Sequence, residues 1–202
     1  MKTLILGMLL SINNSIINHH EHKSNNRVSS PVSTLKVDLS QSQVSWKAEK
    51  LTGTHTGTLK IFLGQVAVQN HRLTGGSILL DMNSISVTDL EAPDKQKLEA
   101  NLKGDNFFDT GRHTVARFDI TSVNYASPSD TSKATITGKL NMHGLTKNIS
   151  FRAGVLKCNA KEFAAKADIA INRRDWNIAT ASFKYDTFIK PTITLHILLK
   201  AL

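Results

Sequence analysis

From Leu35 onward apolar and polar residues alternate at period two, and this constrains the fold more than any other feature of the chain. Val44, Trp46 and Ala48 alternate with Ser45, Lys47 and Glu49; Ala134, Ile136, Gly138, Leu140 and Met142 alternate with Thr135, Thr137, Lys139 and Asn141. The same rule holds for Phe163, Ala165, Ala167, Ile169 and Ile171, and for Ile193, Leu195, Ile197 and Leu199. Successive side chains of a strand point to opposite faces, so each segment predicts a strand with one apolar and one polar side. Thr58 to Val68, Leu73 to Ser84, Val115 to Tyr125 and Asn148 to Lys157 are rich in β-branched and aromatic residues and complete a set of about eight strands.

One segment breaks the alternation. Thr88-Asp89-Leu90-Glu91 has the form of a capping box, Pro93 suits a first helical turn, and Leu98 and Leu102 share a helix face. This predicts one short helix from Pro93 to Leu102, ended by Gly104. Eight mainly antiparallel strands, each with a single apolar face, bury those faces only by closing on themselves or by packing sheet on sheet. An eight-stranded barrel has room for side chains or for one small ligand, and Gly138, Ala165 and Ala167 would leave space inside if their face points inward. Period alone does not say which face does.

Residues 1–34 differ from the rest. Lys2 precedes the apolar run Leu4 to Leu10, and an Asn-, Ser- and His-rich stretch follows. This resembles a secretory signal peptide and a polar spacer, which predicts a periplasmic or secreted protein, with a cytoplasmic location as the alternative. The domain division is thus 1–34 and 35–202. No run approaches the ~18–20 apolar residues of a membrane-spanning helix. Cys158 is the lone cysteine, so no internal disulfide or CxxC motif exists.

Few catalytic signatures are present. The His-rich tract His19, His20 and His22 reads as spacer. His55, His71, His113, His143 and His196 show no metal-ligand spacing, and no metal site is predicted; a set assembled by the fold alone would leave no such trace. There is no G-x-S-x-G elbow, and Gly53, Gly57, Gly75 and Gly76 form no phosphate loop and read as turns or bulges. The net charge of +9 raises the question of an anionic partner. Leu35 onward keeps 22 basic and 15 acidic residues, so the excess of +7 belongs to the barrel domain itself. Those residues are scattered, Arg173-Arg174 is the longest Arg/Lys run, and only 6% of residues are aromatic. A nucleic-acid interface wants a basic stripe with stacking aromatics, so the charge reads instead as the polar outside of a barrel.

Read in order, several motifs resemble the YceI-like family of lipocalin-like, polyisoprenoid-binding proteins. Val44 to Lys50 followed by Gly53-Thr54-His55-Thr56-Gly57-Thr58 is similar to its first hairpin. Gly76-Ser77-Ile78, Asp81 to Ile85 and Thr88-Asp89-Leu90 resemble the next strand and its entry into the helix. Leu102-Lys103 with Asp105-Asn106-Phe107-Phe108-Asp109 resembles the helix end and FFD motif, and Gly138 to Lys147 the G-x-L-x-x-x-G-x-T-K hairpin. Asn101 stands where the family commonly has His, Asn177 where the segment Asn172 to Ile178 would have Gly, and the loop Phe183 to Pro191 is shorter than in many members.

The resemblance implies an all-β, antiparallel eight-stranded lipocalin-like barrel with one short helix inserted, and a tunnel for a long-chain isoprenoid such as a quinone or polyprenyl compound. The expected function is non-catalytic binding, storage or transport of that lipid. No cofactor is expected besides the lipid or quinone held as ligand. The other partners expected are an anionic membrane surface in transient contact and no nucleic acid, with a homodimer left open. Candidate tunnel-lining residues are Trp46, Phe107, Phe108, Phe118, Ile136, Leu140, Phe151, Phe163, Ile169 and Trp176, with core packing as their other role. Lys147, Arg152, Arg173 and Arg174 are candidate contacts for an anionic head group. Two alternatives stay open: an enzyme acting on a lipophilic substrate through His55, His143 or Asp109, and a nucleic-acid-binding barrel.

Overall fold

The structure is a computed structural model that describes residues 30–127, 129–178 and 189–202. The leader, its histidines and most of the Phe183 to Pro191 loop lie outside the described residues. Nine strands and one helix follow in the order β1 (Ser33–Lys36), β2 (Gln43–Lys50), β3 (Gly53–Gln69), β4 (Arg72–Val87), α1 (Asp94–Lys103), β5 (Val115–Tyr125), β6 (Lys133–Met142), β7 (Leu145–Cys158), β8 (Phe163–Asn172) and β9 (Ile189–Ala201). Each of the eight predicted strands is present. Ile189 to Pro191, read from the sequence as loop, open β9.

All pairings are antiparallel, in the order β3-β2-β9-β8-β7-β6-β5-β4, and β4 pairs back with β3. Eight strands therefore close a barrel, which removes both sheet edges. The additional strand β1 occupies the same position as β2 in that circle. β2 pairs with Gly53–Leu59 of β3, whereas β1 pairs with Gln65–Val68, and the turn between them is held by Asp38 Oδ1, which accepts from the Ser40 and Gln41 N–H groups at 2.9 and 3.1 Å. Sequence alternation stops at this turn, which hid β1.

The apolar phase of the alternation points inward. Val44, Trp46, Ala134, Ile136, Leu140, Met142, Phe163, Ala165, Ile169 and Ile171 are all buried. Two hairpins turn through paired left-handed residues, Asn70-His71 and His143-Gly144, the backbone that two-residue type I′ loops require. Gly57 is neither turn nor bulge. It sits inside β3 opposite Trp46, and a Cβ there would stand 2.3 Å from the indole and 2.0 Å from the Ser86 carbonyl oxygen, so its missing side chain makes room for the ring.

The helix forms one residue later than predicted and without the capping box. Pro93 is its N-cap and no side chain caps it. Thr88 instead meets the Thr56 hydroxyl at 3.2 Å, and Glu91 contributes its backbone carbonyl to the Lys95 N–H. At the other end the Gly104 N–H donates to the Ala100 and Asn101 carbonyls, as the predicted stop required. Leu98 and Leu102 turn toward the barrel core, and α1 lies over the end of the barrel near β4.

Candidate functional site

The inward side chains enclose two apolar chambers. The outer one, a cavity of about 80 Å³, is lined by Trp46, Phe107, Phe108, Met142, Ile189 and Ile193 among others. The inner one, of about 100 Å³, is lined by Phe118, Ile136, Phe151, Phe163, Ile169 and their neighbours. Leu80, Leu140, Ile171 and Leu195 line both, so four strands contribute a waist at which the two chambers meet. The volume is small for so many lining residues, the mark of a narrow bore. Among the described residues, Arg173 and Lys166 are the only ionisable ones on either wall, and no His, Asp, Glu or Cys lines either chamber.

The outer chamber opens between α1, the β2–β3 hairpin and the start of β9. Trp46, Ala48, Leu102, Phe107 and Ile189 line both it and the mouth, whose rim adds Glu49, Lys50, His55 and Asn101. His55 Nδ1 lies 2.8 Å from Asp89 Oδ2, while Asp89 Oδ1 accepts from the Thr56 N–H at 2.8 Å. Burial works against the Asp89 charge, yet these hydrogen bonds leave its pKa below the ordinary value. Glu49 is held low chiefly by its 2.6 Å bond from Lys190. Polar groups thus gather at the mouth, while the chambers behind it are lined almost wholly by apolar side chains.

Nine of the ten candidate lining residues face the chambers. The tenth, Trp176, does not. Beyond its pairing with Phe163–Ala167, β7 leaves β8, and the 3₁₀ turn Arg173–Trp176 packs against β7. Trp176 is 2% exposed, its Nε1–H donates to the Leu140 carbonyl at 3.3 Å, and its own carbonyl accepts from His143 Nδ1 at 2.8 Å. It is a wall residue. Asn177 follows it at φ 55°, a left-handed position that asparagine tolerates in place of the glycine expected there.

The four candidate head-group cations are not brought together. Arg173 reaches the outer chamber, but its guanidinium is buried and donates to the Ile178, Ile189 and Lys190 carbonyls at 2.9, 3.1 and 3.4 Å. Lys147 and Arg174 are exposed and line neither chamber. Arg152 faces outward into a shallow groove with Lys166, Asp168 and His196. Arg152 is on the outward phase of β7, alternating with the inward Phe151 and Ala153, whereas Lys147 shares the phase of Ile149 and pairs with Leu140 but lies exposed near the start of the strand. Asn101, which stands where the family commonly has His, lies on this rim; Glu49 and Lys50 carry no local pattern that marks them, because the rim is built from a hairpin end and a helix. Cys158 is half-buried and burial raises its pKa, the setting of an inert thiol.

A closed barrel of eight antiparallel strands, with an apolar bore, a helix over its end and a polar mouth beneath that helix, is lipocalin-like. The chain belongs to the YceI-like domain family, whose sequence profile matches residues 35–201. Among solved structures it is similar to BcnA of Burkholderia cenocepacia (TM-score 0.69, 21% identity, 82% of this chain and 99% of that one). A polyisoprenoid-binding domain from Saccharophagus degradans, implicated in plant cell wall breakdown, gives a TM-score of 0.62 at 15% identity over 85% of this chain and 98% of that one. The YceI protein of Campylobacter jejuni gives 0.53 at 19% identity over 65% and 73%. No curated protein sequence matches the chain.

Proposed function

We propose that the chain binds and carries a long-chain isoprenoid, such as a quinone or polyprenyl compound, without transforming it. The observation that carries this reading is the pair of adjacent apolar chambers inside the barrel, the outer one beneath a polar mouth and the two bordered in common by Leu80, Leu140, Ile171 and Leu195. Each CH₂ moved from water into such a bore gains ~0.8 kcal/mol, so a long chain is held with few polar contacts. Membership of the YceI-like family and the likeness to a polyisoprenoid-binding domain support the same ligand class. Among the described residues the walls are apolar apart from Arg173 and Lys166, a lining that suits holding a lipid.

The apolar run Leu4 to Leu10 supports export, and the +7 of the barrel domain suits transient contact with an anionic membrane surface where such lipids reside. Native mass spectrometry of gently purified protein tests the proposal. It is expected to show one long-chain lipid per chain and a mature N-terminus downstream of Leu10. Repeated isolation without lipid, together with no uptake of added polyprenol or quinone, overturns the binding reading. Chemical change of the bound lipid during long incubation overturns the non-catalytic part.

A further inference from the structure

Outside the bore, the fold assembles a cluster that no sequence spacing announces. Asp109, His113 and His143 each bring one ligating atom to within 4.8 Å of the others, the one such group among the described residues. The Asp109 carbonyl accepts from the N–H groups of Arg112 and His113 at 3.0 and 2.8 Å, so one hydrogen-bonded turn folds His113 back beside Asp109. His143 comes from the tight β6–β7 turn, 30 residues further along the chain, and its ring meets that of His113 edge-on, with centroids 4.7 Å apart. Asp109 is buried and both histidines are half-buried.

We propose that these three residues bind a divalent first-row transition-metal ion, as a two-imidazole, one-carboxylate site on the outside of the barrel wall. Mixed nitrogen and oxygen donors of this kind suit zinc, cobalt, nickel or copper rather than calcium or magnesium. His143 is prepared for the role. The Trp176 carbonyl is only an acceptor, so the 2.8 Å contact places the ring proton on Nδ1 and leaves the Nε2 lone pair free to ligate. A backbone carbonyl orienting the far nitrogen of a ligating histidine is the usual outer-shell arrangement. Donors about 2.0–2.1 Å from a tetrahedral ion stand roughly 3.4 Å apart, so closing around it needs only side-chain rotations of about an ångström. Among the described residues the competitor for this carboxylate is Arg112, whose Nε lies 2.5 Å from Asp109 Oδ2 on a side chain that is 76% exposed. The bound ion would tie the segment after α1 to the β6–β7 hairpin.

The experiment is titration of untagged, chelator-treated full-length protein with Co²⁺, followed by visible absorption, and with Zn²⁺, followed by calorimetry and thermal melting. One equivalent is expected to bind and to raise Tm. His113→Ala and His113→Gln should each weaken binding at least tenfold while leaving the metal-free melt close to wild type. Arg112→Ala should tighten it several-fold by releasing the carboxylate, an effect that a purely structural cluster would not give. A triple variant with His19, His20 and His22 replaced by Ser should bind as the wild type does. The proposal is overturned if the wild type takes up no metal at submillimolar concentration. It is equally overturned if binding survives both His113 variants or disappears with the three leader histidines.

Discussion

Glu99 Oε1 on α1 accepts a 2.8 Å hydrogen bond from the Val87 backbone N–H at the end of β4. The same oxygen takes the Ser86 hydroxyl at 2.9 Å. One carboxylate thereby fastens the helix that forms one side of the mouth to the strand it crosses. The Val87 bond is the main reason that the Glu99 pKa lies below its ordinary value, ahead of opposing burial and the Ser86 bond. A depressed carboxylate contributes stability that is fully present above its unfolded pKa of about 4.3 and is lost as pH falls through the folded value. Glu99→Ala should cost about 1 kcal/mol at neutral pH, and its difference from wild type should shrink in acid. Chemical denaturation at pH 7 and at successively lower pH measures both. Hydrogen exchange should also show α1 opening more readily than the barrel strands.

The two tryptophans should respond differently to the same replacement. Trp176 Nε1 has an acceptor in the Leu140 carbonyl, whereas Trp46 Nε1 is buried with no partner among the described residues. Trp176→Phe removes a satisfied donor and leaves a gap in the wall, so a loss of roughly 2–3 kcal/mol is expected. Trp46→Phe removes an unsatisfied donor, which offsets part of the lost packing; a cost of about 1 kcal/mol or less is expected. Equilibrium unfolding of the two variants under one condition ranks them.

Arg173 should not be exchangeable for lysine. Its planar fork reaches three carbonyls in different directions while 1% exposed, whereas an ammonium offers a point charge that cannot span them. Arg173→Lys is expected to destabilise by roughly 2–4 kcal/mol, because a buried charge is left with fewer partners. Thermal melting reads this directly, and a parallel rise in hydrogen exchange near Ile189 would place the damage at the start of β9.

Much of this architecture was legible because a barrel wall repeats one rule. The alternating phase could be read along β6 from Ala134 to Met142 and along β8 from Phe163 to Ile171, but that this phase points inward is seen only in the closed barrel, where these strands carry much of the inner chamber. Trp176 broke the rule because it lies on a 3₁₀ turn after β8, where period two no longer assigns a face. Charge was the weaker guide. Arg173 and Arg174 are neighbours in sequence, yet one is buried against carbonyls and the other is exposed, and only tertiary structure separates them. Asp109 and His143 stood in two separate family motifs, and nothing local joins the motifs; the closing of β5 and β6 around the barrel does.

The waist yields the prediction that bears most directly on ligand choice. Leu195 on β9 faces Trp46 on one side and Ile169 on the other in strand register, and its side chain borders both chambers. A larger group there should divide the bore without closing the mouth. Leu195→Trp overfills a packed ring, so a stability loss of about 1–3 kcal/mol is expected, which a barrel of this size should survive. If the lipid threads both chambers, the variant should lose long prenyl chains yet retain short ones that end in the outer chamber. At ~0.8 kcal/mol per CH₂, excluding even four methylenes should weaken binding by about two orders of magnitude. Leu195→Ala should act in the opposite sense, widening the waist and accepting branched or bulkier chains at some cost in stability. Native mass spectrometry after exposure to a mixture of prenyl alcohols of graded length reads the selection in one measurement. A chain-length distribution unchanged in both variants would place the ligand wholly on one side of the waist.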